Sequence, residues 1–239
     1  MYLWIIAAAV AYFVKGVSGF AHTLVFTSVL SFGTPNANIS PIDLMLSFPT
    51  NVIVTWKNRK SLDPKVFLPL SALVLAGSIP GAFLLKNVDA TAIKLVFGVV
   101  VIALGGEMLL REYANKRAKS SKPVLALIGV TAGVLCGLFG VGALLAAYVS
   151  RVTDDGSSFK GNINAVFIVD NIFRFGLYGA IGILTPSAVK YALVLLPFAL
   201  LGLFAGMKCA SRLDEKFVRK LTAVLLMLSG VSLILKNIF

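Results

Sequence analysis

The amino-acid sequence repeats itself, and that repeat limits the architectures open to it. Shifting the chain by 125 residues lays Gly77, Gly81, Asp89, Lys94 and Gly105 on Gly202, Gly206, Asp214, Arg219 and Gly230. A shift of 121 lays Gly16-x-x-Gly19 on Gly137-x-x-Gly140 and brings Asn51 within one position of Asn171. Two apolar halves, each opening on a glycine-interrupted segment, is the organisation of a secondary transporter. The halves read as residues 1–112 and 123–239, joined by a basic cytoplasmic linker at 113–122.

Composition excludes a soluble domain. With 58% hydrophobic residues and a mean hydropathy of +0.92 over 239 residues, the few charged side chains could not cover the apolar surface. Val66 to Leu85 and Tyr191 to Met207 carry no charge, and about 20 helical residues cross a bilayer core of roughly 30 Å, so each reads as one span. Pro123 to Ser150 is also uncharged but longer, and it holds Gly129, Gly133, Gly137, Gly140 and Gly142. It reads as a broken helix or a re-entrant hairpin. No basic residue precedes the apolar run Leu3 to Val14, so it reads as a structural segment and not as a signal peptide.

The expected fold is an all-α integral membrane protein made of two inverted repeats. Each repeat is a glycine-broken or re-entrant segment plus three transmembrane helices. The first half places them at 2–33, 40–56, 66–85 and 91–110, the second at 123–150, 162–184, 187–208 and 217–237.

The net charge of +12 sits mostly in short loops without aromatic interleaving, a membrane-topology signal and not a nucleic-acid one. With the second half inverted, loops 57–65, 111–122, 151–160 and 208–220 share one side. They hold sixteen of the 22 Lys and Arg, against four on the opposite side. That arrangement satisfies the positive-inside rule for a multi-pass protein of the cell (inner) membrane and puts both termini outside the cytoplasm. Cys136 and Cys209 have no metal-ligand spacing and read as reduced packing residues. No metal or cofactor is expected, and a homodimer is left open.

The residues also resemble a known family. Lys15-Gly-Val-Ser-Gly-Phe-Ala, Pro49-Thr-Asn-Val with Lys57-Asn-Arg-Lys beyond it, and Ala76-Gly-Ser-Ile-Pro-Gly-Ala are similar to the first half of the TauE/SafE family. Gly133-x-x-x-Gly-Leu-Phe-Gly-Val-Gly, Asn171-x-x-Arg174 and Tyr178-Gly are similar to its second half. The resemblance covers essentially the whole chain. It implies a permease for small sulfur-containing anions such as sulfite and organosulfonates, with export the commoner direction. Ala21-His22-Thr23 departs from that pattern, where the family has a glycine run.

The candidate anion ligands follow from chemistry. Glycine breaks at Gly16, Ser18 and Gly19, and at Gly137, Gly140 and Gly142, free backbone N–H groups and expose positive helix N-termini, a cradle for an anion. Close helix packing is their alternative role. Gly77-x-x-x-Gly81 and Gly202-x-x-x-Gly206 read as packing motifs. Lys15 and Arg174 are the basic residues inside expected spans, where a cation needs a partner or a wet cavity. Arg174 can pair with Asp170 four residues earlier or present its planar fork to an oxyanion. Lys15 can add a second positive charge or snorkel to the nearer surface. Asn51 and Asn171 can donate to sulfonate oxygens or to each other's helices. His22, the one histidine, and Asp170 are candidates for proton coupling. Asp43 and Glu107 fall near span ends and read as interfacial, Asn162 and Asn164 as caps or ligands, and Trp56 and Tyr2 as parts of an aromatic belt.

Three functions stay open at this level. The first is an anion exporter working by alternating access between the halves. An inside-negative potential favours efflux by about 2.3 kcal/mol per charge per 100 mV. The second is a proton-coupled importer of a small organic acid, and the third a non-transporting membrane assembly protein. An enzyme is excluded by the lack of any metal cluster or nucleophile–base pairing in the sequence.

Overall fold

The computed structural model describes residues 1–30, 36–87, 142–153 and 155–238, with scattered helical positions between 88 and 141. Among the described residues the regular structure is helical, with no strand. Helices α1 (Tyr2–Ser18) and α2 (His22–Leu30) form the opening segment, followed by α3 (Asn36–Lys57) and α4 (Pro64–Asn87). The second half contributes α5 (Ala143–Val152), α6 (Gly156–Ala180), α7 (Pro186–Ala210) and α8 (Glu215–Ile238). Five expected spans therefore each fall on one helix, and the sixth, at 91–110, lies largely outside the described residues. The helix expected from 162 starts at Gly156 because Asp155 caps it, its carboxylate accepting from Ser158 N at 2.8 Å. Thr185 caps α7 in the same way, with Pro186 opening the helix.

Polarity is arranged from the inside outwards. Stretches Pro64–Gly81 of α4 and Pro186–Ala210 of α7 are long and apolar enough to cross a bilayer. On α7 and α8, Leu193, Leu201, Phe204, Leu228 and Leu235 are each more than half exposed. Lys15, Asp43, Asp170 and Arg174 are buried. Apolar residues outside and ionisable residues inside suit a molecule whose solvent is lipid. Of those ionisable residues, Asp43 rides on α3, Asp170 and Arg174 on α6, and Lys15 on α1.

Glycines join the halves. A Cβ on Gly202 would sit 2.3 Å from the Ala9 carbonyl oxygen, and one on Gly206 2.1 Å from that of Phe13, so α1 and α7 touch backbone to backbone. In the other direction, a Cβ on Gly77 would sit 2.2 Å from the Val130 oxygen, and one on Gly81 2.3 Å from that of Val134. Residues 130 and 134 follow 9 and 13 by the same shift of 121, as 202 and 206 follow 77 and 81 by 125. Each half thus lends its Gly-x-x-x-Gly helix to the opening segment of the other. A further contact is self-reciprocal: a Cβ on Gly98 would lie 3.0 Å from Gly230 O, and one on Gly105 2.8 Å from Ala223 O.

Contacts at the helix ends sort the loops. Lys57 Nζ lies 4.0 Å from Met207 Sδ, and Asn162 accepts from Asp63 N at 2.9 Å. The basic segment after α3, the start of α6 and the end of α7 therefore share one end of the bundle. A tilted contact of Trp4 with Tyr191, 5.6 Å between ring centroids, puts the N-terminal residues beside the start of α7 at the other end.

Candidate functional site

Two polar stripes face each other at the centre. On α3, Ser40, Asp43, Ser47, Thr50 and Asn51 are buried, and spacings of three and four residues put them on one helical face. On α6, Asp170, Asn171, Arg174 and Tyr178 are buried at the same spacings. The stripes join through Asn51 and Asn171. With its amide oriented so that both ends are satisfied, Asn171 accepts from Asn51 Nδ2 at 3.0 Å and donates to Phe167 O at 3.2 Å. The matched asparagines of the two halves thus meet.

Lys15 reaches this seam from α1. Its Nζ donates to Asn51 Oδ1, to Thr50 Oγ1 at 2.8 Å and to Ser47 O at 3.5 Å, over the Tyr12 ring. The side chain is fully buried, so it does not snorkel. Three ammonium hydrogens face three acceptors.

Arg174 occupies the α6 side. Nη2 donates to Ser40 Oγ at 2.9 Å and to Tyr178 OH at 2.6 Å. Nη1 lies 3.8 Å from Asp170 Oδ2, the expected i,i+4 ion pair, at a distance too long for a hydrogen bond. Asp170 is held from α4, where Ser78 Oγ donates to its Oδ1 at 2.6 Å. Arg174 Nε is buried without a hydrogen-bond partner.

The first break falls at Gly19, whose φ of 95° suits a residue without a Cβ. Its N–H closes α1 on Lys15 O at 2.7 Å, and its carbonyl accepts from Asn164 Nδ2 at 2.8 Å, tying α6 to the break. Ser18 Oγ accepts from Phe20 N and Ala21 N, both at 3.3 Å, so two of the freed amides are already engaged. Gly16 lies within α1, where a Cβ would meet Leu203 O at 2.3 Å, a close-packing position. Beyond the break, His22 Nδ1 lies 2.6 Å from Phe20 O and Nε2 lies 3.2 Å from Thr23 Oγ1. Thr23 Oγ1 is 2.6 Å from Asp43 Oδ2, and Tyr12 OH donates to Asp43 Oδ1 at 3.0 Å. In the second half, Gly142 precedes α5, and a Cβ there would lie 2.2 Å from the Phe167 ring. Gly137 and Gly140 lie outside the described residues, as does Glu107.

Two expectations are corrected. Asp43 is central and not interfacial, because Pro41 sits inside α3 and the helix starts at Asn36, a full turn earlier than read from the sequence. Asn162 and Asn164 do not cap α6, since the cap is Asp155. They bond to the chain at Asp63 and Gly19 instead. The sequence reading gave no role to Tyr12, Thr23, Ser40, Ser47, Thr50 or Ser78. The three-and-four spacing of Ser40, Asp43, Ser47, Thr50 and Asn51 within an otherwise apolar span was the signal for the α3 residues.

A buried seam of opposed charges and amides, walled by apolar helices, has the chemistry of a permeation site. The family model for sulfite exporter TauE/SafE matches residues 4–233. The chain belongs to the TauE/SafE family. No curated protein and no solved structure matches it. Membership makes this chain an integral membrane transporter of the sulfite-exporter class and not an enzyme. The TauE/SafE match takes in both polar stripes and the break at Gly19, so the seam belongs to the family's own part of the chain.

Proposed function

We propose that the protein exports a small oxyanion, sulfite or a short organosulfonate, across the inner membrane by alternating access at the seam between two inverted halves. The observation that carries this reading is Arg174. It is buried and cationic, it is paired to Asp170 only at ion-pair distance, and its Nε lacks a partner. A planar guanidinium with an unused Nε donor suits an oxyanion, which accepts a charge-assisted hydrogen bond from it. Asn171 lines the same seam and keeps one amide hydrogen beyond its bond to Phe167 O, a donor without net charge. Lys15 keeps its ammonium hydrogens on α3 and adds positive potential to the seam, while Gly19 and Gly142 border α6 at Asn164 and Phe167.

Inversion is supported by two features. The glycine contacts of one half recur in the other by exchange of partners. The equivalent stretches 98–105 and 223–230 meet in reverse order, Gly98 on Gly230 and Gly105 on Ala223, as equivalent helices running in opposite directions do. The basic segments gathered at one end fit a cytoplasmic face there, with the N-terminal residues on the far side.

The test is flux of sulfite and short sulfonates from liposomes holding the purified protein. Anion-dependent efflux that falls at least tenfold in Arg174→Ala supports the reading. No flux, or flux untouched by that substitution, removes it.

A further inference from the structure

We propose that each anion moves with one proton, held by His22, Thr23 and Asp43; the inference rests on the anion-transport reading above. It comes from counting hydrogens, whose places are assigned from the surrounding heavy atoms. His22 Nδ1 lies 2.6 Å from the Phe20 carbonyl oxygen, which can only accept, so Nδ1 carries a hydrogen. Two contacts remain, from His22 Nε2 to Thr23 Oγ1 at 3.2 Å and from Thr23 Oγ1 to Asp43 Oδ2 at 2.6 Å. Each needs one hydrogen, and the Thr23 hydroxyl supplies only one. The other must sit on His22 Nε2 or on Asp43 Oδ2. A neutral imidazole facing a carboxylate would leave one contact empty. The connected chain is therefore the form loaded with one extra proton. That proton passes along it when Nε2–H is given to Thr23 Oγ1 while the Thr23 hydrogen goes to Asp43 Oδ2. Imidazolium and carboxylate become imidazole and carboxylic acid, and no other reactant is consumed. The proton itself enters from water on whichever side the seam opens.

The surrounding charge gives this proton a purpose. Tyr12 and Lys15 on α1 and Arg174 on α6 are the described titratable or charged groups that face the triad. Asp170 stands behind Arg174. Among the described residues the buried Lys15 and Arg174 balance Asp43 and Asp170, so the seam is neutral when the triad is unloaded. One added proton leaves a single positive charge, the complement of one sulfonate. Anion and proton together are neutral, which lowers the cost of crossing the bilayer. Because binding is reciprocal, a proton that favours the anion is itself favoured by the anion. A paired proton also cancels the electrical drive on the anion, so the anion gradient and the pH gradient together set the direction of transport.

The test uses the purified full-length protein and methanesulfonate, a probe whose own charge does not titrate in the working range. Calorimetric titration in two buffers of different ionisation heat counts the protons taken up per anion bound. Uptake of about one proton is expected, with affinity falling about tenfold per pH unit once the free triad has lost its proton. Asp43→Asn copies the protonated carboxyl, so its affinity should lose pH dependence and its binding should take up no proton. Thr23→Val cuts the chain and should also abolish uptake, with thermal unfolding in detergent confirming that both variants are folded. Wild-type binding without proton uptake overturns the inference and leaves anion transport standing. A folded Asp43→Asn that keeps the wild-type pH dependence overturns it too. If neither methanesulfonate nor sulfite binds the wild type at any pH, the anion reading falls together with the coupling.

Discussion

Lys15 and Arg174 carry the same charge and are both buried, one in each half, yet their surroundings differ. Lys15 is saturated, its ammonium hydrogens facing Asn51, Thr50 and Ser47 of α3. Arg174 has five N–H groups and meets Ser40, Tyr178 and, more loosely, Asp170, with Nε left over. A compact ammonium can be enclosed by one turn of a neighbouring helix, whereas a rigid planar fork cannot be filled from one side. The first cation therefore fastens α1 to α3 within its own half. The second is the group with capacity to spare for a guest. Burial and charge alone did not separate the two roles; the count of donors against acceptors did.

The strongest way to break this contrast is to strand one cation. Asp170→Ala leaves the Arg174 guanidinium buried without its counter-charge and should lower stability by about 3–5 kcal/mol, read as earlier unfolding in detergent. A variant as stable as the wild type would mean that Asp170 does not restrain Arg174. Next, Arg174→Lys keeps the charge and loses the fork, so anion affinity should fall by about 1.5–3 kcal/mol, roughly tenfold or more, with the fold intact. Its counterpart on the other side, Thr50→Val, removes one of the Lys15 acceptors and should cost stability of the same order while affecting anion binding less. An anion titration beside a melting curve for each variant sharpens or erases the distinction. If Thr50→Val weakens binding as much as Arg174→Lys while leaving stability unchanged, the assignment of roles is reversed.

Smaller effects test the likeness of the halves. Gly81→Ala and Gly206→Ala each push a methyl group against a facing backbone carbonyl and should each cost about 1–3 kcal/mol. Because the contacts are equivalent, the two losses should match. A marked inequality in chemical unfolding would show that one half tolerates separation from its partner. The smallest effect is expected at the centre. A double-mutant cycle on Asn51→Ala and Asn171→Ala should give a coupling of about 0.6 kcal/mol, the usual size of a hydrogen bond between membrane helices. Zero coupling would mean that the amides touch without holding the halves together.

Much of the fold was legible because its signals are local or periodic. The charge-free run at Val66 to Leu85 and the repeated Gly-x-x-x-Gly both act through one helix at a time, and each became the helix or contact expected of it. Ion pairing of Asp170 with Arg174 was legible for the same reason, being a one-turn spacing. Asp43 was not. Its distance along the chain from the end of a span suggested an interface, but its depth depends on where α3 begins and on Tyr12 and Thr23 approaching from other elements. Gly16 and Gly19 look alike in sequence and differ in place. One packs against α7 inside a helix, and the other turns the chain.

From the sequence alone came the lipid environment, the helical class and the family, because hydropathy and motifs are properties of neighbouring residues. Only the tertiary structure decided which polar groups meet. The pairing of Asn51 with Asn171, the enclosure of Lys15 by α3, the spare Nε of Arg174 and the link from His22 to Asp43 all join residues far apart in the chain. In a bilayer each buried donor must find its acceptor inside the protein, so the packing of the helices, and not the order of residues, determines where a donor is left for a guest.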